Sequence, residues 1–153
     1  MDNRAVALKL ILDRLDIADI STVERRMEVQ KAVYLTQSAG VPLGYTYGWY
    51  LKGPYSPSLT RDYYSLSDDA VPAGASLKDS AIARVDRVSA LMERSIETLA
   101  RPQRLELLAS LHYLVKGSGL SELKARERIA TAKPHLASSV NEGLAALRQF
   151  DLL

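Results

Sequence analysis

Cysteine is absent from this 153-residue chain, and only two histidines occur. The first absence rules out disulfides and thiolate metal sites, and it suits a reducing cytoplasm. With no cysteine, and neither His112 nor His135 at ligand spacing from another histidine, zinc is not expected. The apolar run near the start is broken by Lys9, Asp13 and Arg14, which reads as an amphipathic helix and not as a signal peptide or a membrane span. Excess charge is also missing. Residues 1–64 hold eight Lys/Arg and seven Asp/Glu, and residues 65–153 hold twelve and eleven, so each half nets +1. There is no basic tail of the kind a dedicated nucleic-acid binder often carries. A nucleophile elbow and a glycine-rich phosphate loop are both wanting, so neither catalytic residues nor a cofactor is expected.

What is present is a hydrophobic content of 47% with 25% charged residues, ordinary for one globular domain of this length spanning residues 1–153. Helical signals dominate. Residues 2–15 place Ala5, Leu8, Leu12 and Leu15 on one stripe behind the caps Asp2 or Asn3. Ser21 to Glu24 has capping-box spacing, which predicts a helix from about Thr22 to Ala39, stopped by Gly40. Val29, Ala32, Val33 and Thr36 fall on one face of it and Met27 and Tyr34 near the other, so this helix should be central. Pro57–Leu66 should be helical behind the cap Ser56. Further helices are expected over about 80–100 (Val85, Val88, Met92, Leu99), from Pro102 to Gly117-Ser118-Gly119, over 121–132, and over 139–149 with capping-box spacing from Ser139 to Glu142. Residues 67–79 read as a mobile loop, where Asp68-Asp69 suggests a solvated turn more than a cation ligand.

The fold class is therefore mainly α: a compact bundle of about seven helices with one short aromatic strand or β-hairpin. The strand is Tyr45 to Lys52, with Tyr45, Tyr47, Trp49 and Leu51 facing one way. Val41-Pro42-Leu43 offers a weak partner. Eight of the ten aromatic residues lie between Tyr34 and Tyr64, so large rigid side chains concentrate in this middle third.

Within it, Gln30-Lys31, Val33-Tyr34-Leu35, Gln37 and Gly40, followed by Gly53-Pro54-Tyr55-Ser56-Pro57 and Leu59, resemble the YwgA-like bacterial proteins. More distantly they resemble the Panacea antitoxin domain, which includes SocA-like antitoxins. Leu107 to Leu114 and Lys133-Pro134 resemble the YwgA-like pattern too, while Lys52 departs from the residue usual before Gly-Pro. The resemblance implies a small, mostly helical, non-enzymatic bacterial protein that binds a protein partner, and it supplies no catalytic residues.

Tyr50, Lys52 and Tyr55 beside the turn, with Tyr34 on the central helix, make a candidate partner-binding patch, since tyrosine offers large contact area at low entropic cost. Packing against the Lys31/Tyr34 side of the central helix is the competing explanation. Arg25, Arg26 and Lys31 add three cations on two helical turns. These would touch an acidic partner, or be a solvated face paired with Glu24 and Glu28. His112 reads as a hydrogen-bonded core residue and His135 as part of a turn or cap.

The first expectation is a cytoplasmic antitoxin-like or adaptor module whose partner is a toxin or complex subunit, possibly encoded by a neighbouring gene. The alternatives are a winged-helix-like nucleic-acid-binding regulator, with Arg25, Arg26, Lys31, Lys52 and Arg61 on phosphates, and a structural subunit of a phage-defence assembly pairing through helix 80–100.

Overall fold

The computed structural model describes residues 2–66 and 71–153. Seven α-helices and one two-stranded antiparallel hairpin make up its main elements: α1 Asn3–Arg14, α2 Val23–Ser38, β1 Gly48–Tyr50, β2 Gly53–Tyr55, α3 Pro57–Ser65, α4 Asp79–Glu93, α5 Arg101–His112, α6 Glu122–Ala132 and α7 Val140–Gln149. A π-turn at Tyr113–Gly117 continues α5, and a 3-10 turn at Pro134–Ser139 leads into α7. The chain is mainly α, as the helical spacing predicts. No described helix is long and apolar enough to cross a membrane.

Helix starts follow the capping chemistry. Asp2 accepts from Ala5 N–H at 2.8 Å, Thr22 from Arg25 N–H at 3.1 Å, Ser56 from Leu59 N–H at 3.3 Å and Ser121 from Lys124 N–H at 3.1 Å. The centre of the molecule is shared by two helices. In α2 every residue from Glu28 to Thr36 is buried, and in α5 every residue from Leu105 to His112. They pack on each other, with α4, α7 and the hairpin around them. A helix apolar on all sides is stable only when enclosed. Gly143 marks the tightest of these contacts: an added Cβ would stand 2.9 Å from both Leu107 and Leu111, so α7 approaches α5 through a glycine.

Four expectations are corrected. The helix predicted over 80–100 ends at Glu93, and Leu99 lies in a loop. Arg104 explains the stop by donating to Met92 O at 2.9 Å and to Leu99 O at 3.0 Å, which satisfies carbonyls that a continued helix would have used. The apolar stripe of this helix (Val85, Val88, Leu91, Met92) is buried inside the monomer. The capping box expected from Ser21 to Glu24 does not form: Thr22 takes the cap and Ser21 N–H bonds Asp19. The capping box at Ser139 does not form. Ser139 instead bonds Glu97, and Glu142 accepts from Glu97 N–H at 3.0 Å and from Arg94 at 3.1 Å, so both side chains clamp the 94–97 loop.

The fourth correction concerns the aromatic strand. Only Gly48–Tyr50 pairs, and its partner is Gly53–Tyr55 rather than Val41-Pro42-Leu43, in the register Gly48 to Tyr55, Trp49 to Pro54 and Tyr50 to Gly53. Pro54 is tolerated because a two-stranded ribbon has nothing but edges. Leu51, expected in the strand on the same side as Tyr45, Tyr47 and Trp49, sits in the connecting turn. Part of the predicted 67–79 loop, including Asp68-Asp69, lies outside the described residues; Val71 to Lys78 carries a turn closed by Ala75 N–H to Pro72 O at 3.0 Å.

His112 is a core residue, as expected. Its Nδ1 lies 2.7 Å from the Tyr34 hydroxyl, and the two rings meet edge to face. Burial, then the Lys116 charge, lowers its pKa from 6.5 to about 4. The native state therefore binds fewer protons than the unfolded chain between those values, so stability is complete above pH 6.5 and falls as pH drops toward 4. Urea unfolding at stepped pH should show a loss of about 3 kcal/mol across that window. His112→Gln, which keeps a partner for Tyr34, should flatten the slope there, and an unchanged slope refutes the assignment.

Candidate functional site

Two glutamines of α2 set the position of the aromatic segment. The Gln37 amide accepts from Tyr45 N–H at 2.9 Å and donates to Tyr45 O at 2.8 Å. Seven residues earlier, Gln30 does the same for Ser56, accepting from its N–H at 2.9 Å and donating to its carbonyl at 3.0 Å. Each side chain thus pairs with a residue's backbone as a neighbouring strand would, at both ends of the hairpin segment. Gln30 also donates to Thr60 at 2.8 Å, and the Thr60 hydroxyl lies 2.6 Å from that of Tyr55.

Beneath the hairpin lies a cluster of buried charge. Lys31 of α2 donates to Pro54 O at 2.8 Å. Lys133 donates to Leu51 O at 2.7 Å and to the Glu106 carboxylate of α5 at 2.8 Å, with its ammonium 5.3 Å from the centre of the Trp49 ring. His135 Nε2 lies 3.3 Å from the other Glu106 oxygen. Both lysines are about 1% exposed and Glu106 is 2% exposed. Buried charges persist when paired and hydrogen-bonded, and here the carbonyls of the hairpin supply part of that pairing. Burial, and next the Lys133 charge, lowers the Lys31 pKa to about 8, while Glu106 pulls it upward and Lys52 adds to the depression.

Gly53 closes the arrangement. Its φ of +98° is disfavoured for other residues, and an added Cβ would stand 2.4 Å from the Ser110 hydroxyl. Ser110 Oγ is itself buried without a hydrogen-bond partner among the described residues.

On the outer side of this frame is a groove of about 430 Å³ between α2, the hairpin and α3. Val23, Met27, Tyr63 and Tyr64 form one wall and Tyr50, Leu51 and Tyr55 the other. Arg26, Lys31 and Lys52 contribute cations, and among the described residues its lining holds no carboxylate. Five large apolar or aromatic side chains are exposed among the described residues, and four of them, Val23, Tyr50, Leu51 and Tyr64, line this groove; Leu123 lies elsewhere. Leu51 is 88% exposed. Exposed apolar surface gathered into one concave place is what binding sites show and what solitary surfaces avoid.

The predicted partner contacts divide accordingly. Tyr50, Lys52, Tyr55, Lys31 and Arg26 come together at the groove. Tyr34 does not: it is buried, with its ring against Tyr47, His112 and Tyr113, so it supports the core and has no surface to offer. Arg25 points away and pairs with Asp19 at 3.3 Å. The predicted solvated face with Glu24 and Glu28 is also absent, because Glu28 is taken by a bidentate bond from Arg101 (3.3 and 2.9 Å), Arg26 donates to Ile20 O, and Lys31 turns inward. Tyr50 and Tyr55 pack on each other, rings 5.0 Å apart, rather than on Tyr34. Sequence reasoning missed Glu106, Lys133 and the strand-like role of both glutamines. The seven-residue spacing of Gln30 and Gln37 was the available signal.

A scan against protein-family models, a search of curated proteins and a search of solved structures found no match. No group of acidic or histidine side chains that could hold a metal ion occurs among the described residues.

Two stability outcomes follow from this frame. Gly53→Ala should cost about 2–4 kcal/mol, from backbone strain and the clash with Ser110. Ser110→Ala alone should be neutral or slightly stabilising, since it removes a buried unpaired hydroxyl, and it should recover part of the Gly53→Ala loss. Strict additivity in the double-mutant cycle would contradict the contact. Lys133→Met should destabilise by about 3–5 kcal/mol, because Glu106 stays buried and charged, and adding Glu106→Leu should restore much of that. Urea midpoints of Lys133→Met and of the double variant decide it.

Proposed function

We propose that this chain is a non-enzymatic protein-binding module of the antitoxin or adaptor type, which docks a partner protein on the groove between α2, the hairpin and α3. The observation that carries this reading is the concentration of Val23, Tyr50, Leu51 and Tyr64 around one concave surface on a backbone held by buried bonds. Preorganised anchors lower the entropic cost of association, and aromatic residues set in a groove are the type that dominates interface energetics. The likeness of the Gln30 to Leu59 pattern to the YwgA-like and Panacea antitoxin proteins supports the same reading. A toxin or complex subunit encoded beside it is the natural candidate partner.

A phosphate-binding regulator has less support. Of its five proposed cations, Arg25 is paired with Asp19, Arg26 is bonded to Ile20 O, and Arg61 is not part of the groove lining, which leaves Lys31 and Lys52 in one place. A nucleic-acid surface needs several free cations along a backbone track.

Co-expression with the product of the adjacent gene, followed by purification through a tag on one chain, should yield a stoichiometric complex. Leu51→Asp changes a fully solvated turn residue and should leave the fold intact, yet it should abolish co-purification; Leu123→Asp, on the exposed residue away from the groove, should not. A chain that purifies alone beside a soluble neighbour product, or a complex indifferent to Leu51→Asp, would sink the proposal.

A further inference from the structure

The buried charges beneath the hairpin do not balance. Lys133 has Glu106 as counterion and Leu51 O as a second acceptor. Lys31 has Pro54 O alone, with no carboxylate within salt-bridge distance among the described residues, although an ammonium carries three donors. The charged groups that act on it are Lys133 behind α6, Glu106 on α5 and Lys52 at the hairpin tip, two cations against one anion. Lys31 also lines the floor of the groove, beside Lys52 and Arg26. A cationic floor under walls of Val23, Met27, Tyr64, Tyr50 and Leu51 is complementary to one kind of chain: apolar side chains interrupted by an acid. A buried ammonium short of a counterion gains more from such an acid than an exposed one would.

We propose, resting on the reading of this groove as a protein-docking site, that its occupant is an apolar peptide segment carrying an aspartate or glutamate. The carboxylate sits over Lys31 and Lys52, while large apolar side chains lie between Met27 and Tyr64 on one wall and Tyr50 and Leu51 on the other. Lys31 thereby acquires the counterion that the monomer lacks. A single-stranded nucleic acid would place phosphates on Lys52 but leave the aliphatic walls of Val23, Met27 and Leu51 without matching surface. A free apolar acid would fill the floor and leave the length of the groove uncovered.

The test uses the full chain and a fluorescently labelled, end-capped amphipathic peptide of leucine and glutamate at helical spacing, with a twin in which glutamine replaces every glutamate. The acidic peptide should bind at least about tenfold more tightly at pH 7, as one charge-assisted bond predicts. Calorimetry near pH 8.5 in two buffers of different ionisation enthalpy should show proton uptake on binding, since a carboxylate beside Lys31 restores its proton. Lys31→Met should remove the proton uptake and most of the acid preference while the glutamine twin still binds. Should that variant fail to fold, Lys52→Gln on the exposed tip should lower the acid preference several-fold.

Equal affinity for the two peptides overturns the proposal while leaving the groove as a docking site. Binding of neither peptide overturns it too, and if the partner complex still forms and still depends on Leu51, the proposed function stands without it. Preferential binding of decanoate or of an oligothymidylate overturns it in favour of a free acid or a nucleic acid. A failure of the co-expression test alongside a tenfold acid preference would sink the antitoxin or adaptor reading and leave the groove's preference for an acidic apolar segment standing.

Discussion

Two ammonium groups, from Lys31 and Lys133, reach one short hairpin and hold the carbonyls of Pro54 and Leu51. Most of what positions the groove depends on that pair of bonds. A two-stranded ribbon is marginal by itself in water. Here its turn cannot swing, because releasing either carbonyl would leave a charge buried without its acceptor, and such a charge costs several kcal/mol. Glu106 completes the arrangement from α5, the helix that also carries Ser110 beneath Gly53. The apolar core and the outer surface are therefore mechanically one object, joined through a polar seam.

This seam explains an apparent conflict between stability and exposure. Leu51 is the most solvated large apolar residue described, and it stands in the turn whose carbonyl is gripped by Lys133. Hydrophobic turn residues are ordinarily a liability, since nothing in the monomer rewards them. Fixed main-chain geometry means that Leu51 and Tyr50 are presented in one place, so a partner meets them already arranged. The tyrosines inside the frame behave differently. Burial raises the pKa of the Tyr34 and Tyr47 phenols well above the usual range, which keeps them neutral and lets them serve as packing.

Much of the fold was legible in the sequence because its helices announce themselves locally. Asp2 and Ser56 cap as expected, Thr22 takes the cap one residue after Ser21 of the expected box, and all seven helices exist. The failures have a common cause: a long-range partner took a group that local rules had assigned nearby. Ser139 and Glu142 have capping-box spacing, but Glu97 and Arg94 of a distant loop claim them. The α4 helix stops short because Arg104 captures Met92 O. The hairpin partner was hidden for a different reason. Gly-Pro-Tyr reads as a turn, and only the buried lysines and Gln30 make it a strand. For the site, the sequence pointed to the right region and to Tyr50, Lys52, Tyr55, Lys31 and Arg26. It could not tell that Tyr34 lies inward, because a tyrosine on a helix apolar on both faces has no outward side. Glu106 and Lys133 are 27 residues apart along the chain, and no local pattern pairs them.

The glutamine contacts have one more consequence. Gln30 and Gln37 grip Ser56 and Tyr45 through peptide atoms, and Lys31 and Lys133 likewise hold carbonyls, so little of the scaffold depends on which side chains occupy positions 50 to 52. Frame and message are written in separate alphabets. Natural drift or deliberate redesign at those three positions is free to alter whom the protein meets while the architecture presenting them persists. A lineage built on this plan would be expected to diversify at its fingertip and stay constant in its wrist.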